Sequence, residues 1–384
     1  MLHFSLIMKK LLNLLVFVFV LNVVNAQNKI VQFVFTSDVH YGLNKEKFRD
    51  KQNVSAAEVN AAMVESMNSL HESILPMDNG INGGKKINSI DAVVITGDLC
   101  NRQEKDIQSA TVSWKQFENN YINKLHLVNQ DYQPAQLLLT PGNHDISNAV
   151  GYHRPMQPLT DKASLIGMYN LMIQPSVLKT ENNFNYSTDK VHYSRNIGGL
   201  HFVFVDAWPD SAERDWMEKD LSKVKSTTPV FIFTHSMPDV EARFFVNPNG
   251  DHSINEKDKF ENLVTETFKD GTSVEDKAII EQKELANFIQ IHPNIKAYFH
   301  GHSNYTEYYD WKGPDQRIVL HCFRADSPMK GKYSAKDETK LAFELVTIDT
   351  DKKIMTVREC LWNAHPSDAL HKIEWGISTT ISIQ

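Results

Sequence analysis

Cysteine is scarce in this sequence, with Cys100, Cys322 and Cys360 the only 3 among 384 residues. So sparse and odd a set allows at most one internal disulfide, which excludes a disulfide-stapled scaffold. None has a partner at zinc-finger spacing, so any metal held here must use oxygen and nitrogen donors. Positive charge is not in excess either, the formal net charge being -7. Lacking a basic cluster and a series of stacking aromatics, the chain does not read as a DNA or RNA binder. It also has no Gly-x-Ser-x-Gly elbow and no P-loop, so its chemistry is not organised around those devices. No internal repeat or low-complexity linker divides the chain. What it does have is an ordinary globular composition, 41% hydrophobic and 23% charged, which argues against disorder, and 16 His, a supply that favours metal sites.

The first 26 residues differ in kind from the rest. Lys9-Lys10 precede an apolar run from Leu11 to Val24, and Val24-Asn25-Ala26 places small residues at cleavage positions, the layout of a secretory signal peptide. Cleavage is expected after Ala26, with Met8 an alternative start, and the expected location is exported, periplasmic or secreted. Asn13 and Asn22 interrupt the apolar run, which is too short to span a membrane comfortably, so no span is expected after removal of the leader. Residues 27–384 are read as one domain.

Along that domain, apolar strands alternate with amphipathic helices. Lys29 to Phe35 reads as a strand, 54–75 as a helix with Val59, Met63, Met67 and Leu70 facing the core, and Ile90 to Thr96 as a buried strand. Ile107 to Leu127 reads as a helix and Leu137 to Leu139 as the next strand, so the order predicts an α/β fold with a βαβαβ core and a largely parallel sheet. Val191 to Ser194 and Leu200 to Asp206 predict a hairpin about Gly198-Gly199, and Val230 to Thr234 and Ile295 to Phe299 are further apolar strands. Alternation over Arg317 to Phe323, Leu341 to Thr350 and Lys353 to Glu359 predicts antiparallel strands completing the fold.

Five of these strands end in the same chemistry. They deliver Asp38 with His40, Asp98, Asn143 with His144 and Asp145, His235, and His302. Adjacent strands of an open α/β sheet bring their carboxyl ends to one place, where ligands bind. A pair of divalent ions needs several fixed donors converging there, with a shared carboxylate between ions roughly 3.5–4 Å apart.

These blocks, Asp-x-His, Gly-Asp, Gly-Asn-His-Asp, a lone His and a Gly-His pair, resemble the calcineurin-like metallophosphoesterase superfamily, in the family's order and over 31–304. The resemblance implies a sandwich of two mixed β-sheets flanked by helices, completed or extended by 305–384. It implies two divalent metal ions (Mn, Fe, Zn or Mg), with Asp38 and His40 on the first, Asp98 bridging, and Asn143, His235 and His302 on the second. His144 would stabilise the transferring phosphoryl group and help protonate the leaving oxygen, with Asp145 in a supporting role. Asn101 and Arg102 match positions that orient the catalytic His and contact phosphate, and His153 and Arg154 lie in an irregular segment suited to substrate contact. One departure stands out: Asn304 occupies the place where most members carry a second His for the first metal. Its amide oxygen suits Mn, Mg or Fe better than Zn, and His300 and His321 are candidate substitutes.

The function so implied is hydrolysis of a phosphate ester by a hydroxide held between two metals. Diesters are slightly favoured over monoesters, because the sequence shows no tight basic cluster for a dianion. The competing class is a non-catalytic exported binding protein on the same fold, gripping a partner through Phe244, Phe245, Tyr305, Tyr308, Tyr309 and Trp311.

Overall fold

The structure, a computed structural model, describes residues 30–101, 108–146, 161–186, 188–240, 273–368 and 372–384. The chain enters through β1 (Ile30–Thr36), a hairpin of β2 (Asn44–Phe48) and β3 (Lys51–Ser55), and α1 (Ala56–Asn68). It continues through β4 (Ala92–Thr96), α2 (Ala110–Phe117), β5 (Gln136–Thr140), the single turn α3 (Asn143–Ile146) and α4 (Ala163–Ile173). Then come β6 (Tyr193–Ile197), β7 (Leu200–Phe204), α5 (Ser211–Leu221), β8 (Val230–Phe233), α6 (Val274–Ile291) and β9 (Ile295–His300). It closes with β10 (Glu307–Trp311), β11 (Leu320–Arg324), β12 (Ala342–Asp349), β13 (Ile354–Leu361) and β14 (Glu374–Ser382).

Among the described residues these strands form two six-stranded sheets, ordered β14-β13-β12-β1-β4-β5 and β10-β11-β9-β8-β7-β6. Both are mixed. In the first, β1, β4 and β5 run parallel while β12, β13 and β14 pair antiparallel. In the second, β7, β8, β9 and β11 run parallel, with β6 and β10 antiparallel at the edges. The expected sandwich is therefore present, and the expected hairpin closes with Ile197 opposite Leu200. The C-terminal strands complete the first sheet. No helix among the described residues is long and apolar enough to cross a membrane.

Phenylalanines fill the space between the sheets. Phe33 on β1 meets Phe202, Phe233 and Phe299 edge-on, with ring centroids 5.3, 5.8 and 5.6 Å away. Such aromatic contacts add to the burial of their large apolar area. On the outside, Val59, Met63 and Met67 of α1 join the same core, so those methionines pack as their helical spacing predicts. A second core, with Trp208, Leu285 and Tyr298, lies between the other sheet and α5 and α6.

Several elements depart from the sequence reading. The helix expected to reach Leu127 stops at Phe117 and opens into a wider turn over Glu118–Ile122. There Asn120 donates to the Tyr41 hydroxyl at 3.0 Å and to Ala57 O at 2.8 Å, which ties the turn to its neighbours. The hairpin of β2 and β3, and the strands β10 and β14, are additions: short or polar, they lack the apolar alternation that marks a strand. All three cysteines are buried and free. Trp311 is buried and Tyr308 packs on Phe323 at 5.5 Å, so these aromatics build the fold instead of an exposed platform. Phe244 and Phe245 lie outside the described residues.

Since Phe33 touches three aromatic rings between two sheets, Phe33→Ala should destabilise the protein by about 3–5 kcal/mol. Chemical denaturation of the two proteins side by side would measure this, and a loss under about 1 kcal/mol would show that the inter-sheet core closes around the gap.

Candidate metal centre

Each strand end turns sharply to face its side chain over the sheet edge. Asp38, His40, Asp98, His302 and Asn304 all have positive φ, at 55, 42, 52, 69 and 58°. Asp, Asn and His tolerate this region better than most residues, but five such conformations in one place mark a functional site. The loops stay zipped beyond the strands: Asp38 N–H donates to Gly97 O at 3.0 Å and His40 N–H to Asp98 O at 2.9 Å. Thr96 O then joins the two sheets, accepting from Ser37 Oγ at 2.8 Å and from His235 Nδ1 at 2.8 Å.

That last bond fixes a tautomer. A carbonyl only accepts, so His235 Nδ1 carries the proton and Nε2 presents its lone pair inward. Facing Nε2 are Asn143 Oδ1 at 3.0 Å and His302 Nδ1 at 3.1 Å, and those two atoms are 3.2 Å apart. Asp98 Oδ2 lies 3.5 Å from His235 Nε2, 3.6 Å from His40 Nε2 and 3.9 Å from His144 Nε2. His40 Nε2 is also 3.7 Å from Asp38 Oδ1. Two groups able to hold an ion follow, Asp38 with Asp98 and His235, and His40 with Asp98 and His144, each with donor atoms within 4.8 Å. Asp98 belongs to both.

These residues fit divalent cations. The triangle of His235, Asn143 and His302 has the roughly 3 Å edges expected of donors about 2.0–2.2 Å from one ion. Asp38 Oδ1 and Asn304 Oδ1 are buried without a hydrogen-bond partner among the described residues, a costly state that a cation would relieve. Asn304 donates its Nδ2 to His302 O at 2.9 Å, which leaves the amide oxygen as the donor on offer. The donor set is all nitrogen and oxygen.

Close approach explains two glycines of the motifs. A Cβ on Gly142 would fall 2.2 Å from Asp98 Oδ1, and one on Gly301 would fall 1.9 Å from Ser37 Oγ and 2.2 Å from Asp38 Oδ2. Asp145, fully buried, accepts backbone N–H groups of Leu99 at 3.1 Å, Cys100 at 3.0 Å and Gly142 at 2.9 Å. It thereby locks the loop bearing Asp98 to the loop bearing Asn143 and His144. His144 N–H donates to Asp98 Oδ1 at 2.9 Å, and its side chain, 12% exposed, stands with His302 and Asn304 on the half-buried side of the cage.

Other site expectations fare differently. Asn101 is buried on the loop after β4, its N–H on Tyr41 O at 2.8 Å. His300 is not brought to the cage: its Nε2 meets the Tyr309 hydroxyl at 2.9 Å, and burial, helped by Arg324, pushes its pKa down to about 3. His321 pairs with Asp310 at 2.7 Å on β11 and β10, so neither histidine substitutes for the motif's missing one. Arg102, His153 and Arg154 lie outside the described residues. Sequence reasoning missed Lys330, whose Nζ is 3.4 Å from His144 Nε2, and Ser327, whose Oγ donates to Asp38 O at 2.7 Å. The strand before them was legible, but not that it runs parallel to β9 and so brings its following turn to the same edge.

The sequence of residues 31–305 matches the profile of the calcineurin-like phosphoesterases, Metallophos. The chain belongs to the calcineurin-like phosphoesterase family. No curated protein matches it. Similar solved structures include a conserved uncharacterized protein, a predicted phosphoesterase, from Streptococcus pneumoniae TIGR4, at 9% identity and TM-score 0.33, covering 92% of this chain and 98% of that one. Another is the calcineurin-like phosphoesterase YfkN from Bacillus subtilis, at 11% identity and TM-score 0.32, covering 92% and 91%. The phosphopantetheinyl hydrolase of Mycobacterium tuberculosis shows 12% identity and TM-score 0.32 over 77% and 90%. At TM-scores this low the likeness carries no argument about function.

Two predictions follow from the cage. Gly301→Ala should cost this calcineurin-like phosphoesterase most of its bound metal, read by elemental analysis after exposure to Mn; full metal content would show that Ser37 and Asp38 give way cheaply. The second concerns pH. Without a cation, burial pushes Asp38 from its ordinary 3.8 up to about 6, against the pull of His235, and pushes Asp145 up to about 7, aided by Asp98. His235 is also raised: burial opposes this, but the charges of Asp98 and Asp38 outweigh it. Carboxyls raised on folding favour the folded state only while protonated, and a raised His likewise loses its contribution as pH climbs through its folded pKa. Metal-free protein should therefore lose thermal stability from about pH 4 through pH 7, with Mn restoring most at the upper end. Melting curves with chelator and with Mn across that range test it, and a Mn effect independent of pH would contradict it.

Proposed function

We propose that the protein is an exported hydrolase of phosphate esters working with two divalent cations. The observation that carries this reading is Asp98, buried, with Oδ2 3.6 Å from His40 Nε2 and 3.5 Å from His235 Nε2, two imidazoles on the strand ends of the two sheets. Asp38, His40 and Asn304 would hold one cation, Asn143, His235 and His302 the other, with Asp98 common to both. When bound, such cations polarise phosphoryl oxygens and bring the proton loss of a coordinated water near neutral pH. With an amide at Asn304, Mn, Mg or Fe suits the first position better than Zn.

The chain's own residues supply the rest. His144 stands at the opening, edge-on to the His40 ring at 4.8 Å, where it can bind a phosphoryl oxygen. As water's oxygen joins phosphorus and the ester bond breaks, His144 delivers a proton to the leaving oxygen. Asp145 positions His144 and Asp98 through the backbone. Arg102, with Asn101, is proposed to contact phosphate from the loop after β4, and His153 and Arg154 to meet the rest of the substrate.

Asp98→Asn should abolish turnover of an aryl phosphate ester assayed with Mn, and His144→Ala should lower kcat by roughly 10²–10⁴. Full activity in Asp98→Asn would remove the shared-carboxylate scheme. Wild-type protein carrying under one metal per chain and inert to every ester would support the binding-protein alternative. Export is tested separately: the product recovered outside the cytoplasm should begin at Gln27 by intact mass, and a product retaining Lys9-Lys10 would contradict cleavage.

A further inference from the structure

We infer that Lys330 is the ammonium that receives the phosphoryl group beside His144, and that it tunes this site toward dianionic phosphomonoesters; the inference rests on the phosphoesterase reading above. The slight preference for diesters in the sequence rested on the absence of basic groups near the motifs. Tertiary structure removes that ground by bringing Lys330 Nζ to 3.4 Å from His144 Nε2, across 186 residues of chain.

The placement is built. β11 runs parallel to β9, and Ala325 N–H donates to His300 O at 3.1 Å, so the chain leaves β11 at the cage. Ser327, fully buried, donates Oγ to Asp38 O at 2.7 Å and accepts from Met329 N–H at 3.2 Å and Lys330 N–H at 2.9 Å. One hydroxyl therefore registers Lys330 to a strand end that bears metal-competent residues. Lys45, 3% exposed, clamps the same turn by donating to Pro328 O at 3.1 Å. Ordering a long side chain costs rotamer freedom, and this turn reduces that cost before a substrate arrives.

Lys330 and His144 both stand at the partly open rim, whereas Asp38, His40, Asp98, Asn143 and His235 are buried. A phosphoryl group bound at His144 therefore lies within reach of the Lys330 ammonium. A monoester dianion brings an additional negative oxygen for the ammonium to bind, while a diester, a monoanion with a neutral substituent in that place, gains less from it. Electrostatic stabilisation of this kind discriminates between ester classes by charge, not by leaving group.

The test compares wild type, Lys330→Met and Lys330→Arg on p-nitrophenyl phosphate and bis(p-nitrophenyl) phosphate with Mn. It is joined by calorimetric titration with inorganic phosphate and elemental analysis. Lys330→Met should lower monoester kcat/KM about ten- to a hundredfold, the size of one lost hydrogen bond to a charged group, and change diester kcat/KM far less. Phosphate affinity should fall in parallel at unchanged metal content, Lys330→Arg should recover part of both, and Lys332→Met, which removes an ammonium lying over the Tyr305 ring at 4.5 Å, should leave the monoester-to-diester ratio alone. Equal losses on both esters, or unchanged phosphate binding, would overturn the inference. A wild type inert to both esters that still binds phosphate through Lys330 would sink the hydrolase reading and keep the anion site. One that neither turns over nor binds phosphate would sink both.

Discussion

Unsatisfied negative charge and lone pairs at one sheet edge are the constraint from which the rest of this molecule follows. Asp38, Asp98 and Asp145 are each at most 2% exposed, and imidazole and amide acceptors face inward beside them. Burying such groups costs several kcal/mol each unless something positive or a donor meets them. Asp145 is met by three backbone N–H groups, whereas Asp38 and Asp98 point into a space shaped for cations. The fold tolerates this because two Phe-rich sheet faces pack firmly behind the edge.

The same constraint accounts for the strained backbone. A strand carries its side chains alternately to either face, so a residue continuing β1 or β4 would project from one face of the sheet and not over its end. Turning through positive φ at Asp38, His40 and Asp98 redirects the side chains into the cage. The backbone bonds that zip the β1 and β4 loops together hold those turns. Ser37 and His235, both on Thr96 O, make the two sheets share one carbonyl.

The rim is arranged on a different principle. Where Asp38, His40, Asp98, Asn143 and His235 are buried, His144 and Lys330 are partly exposed and come from chain segments far apart in sequence. Their meeting depends on Ser327 anchoring the turn after β11 to the backbone of Asp38. The Ser327 hydroxyl and the His144 N–H on Asp98 thus couple the metal-competent residues to the charged rim.

Much of this was legible in the linear chain. Apolar runs closed by Asp, His or Asn marked β1, β4, β5, β8 and β9 and the residues that converge, because a buried strand and its terminal turn are local events with local signals. The edge strands β10 and β14 and the separate hairpin of β2 and β3 were less readable: they are short or polar, so tertiary pairing overrides weak propensity there. Sequence alone also left His300 as a candidate ligand, and only packing against Tyr309 and Arg324 decided against it. Lys330 was invisible because a lysine in a turn carries no signal of what lies opposite. The sequence by itself determined which donor residues exist and on which strand ends they ride. Which atoms face one another, which histidine is excluded and which cation stands beside His144 were decided by the tertiary structure, since each depends on contacts between separate elements, from His300 and Tyr309, 9 residues apart, to His144 and Lys330, 186 apart.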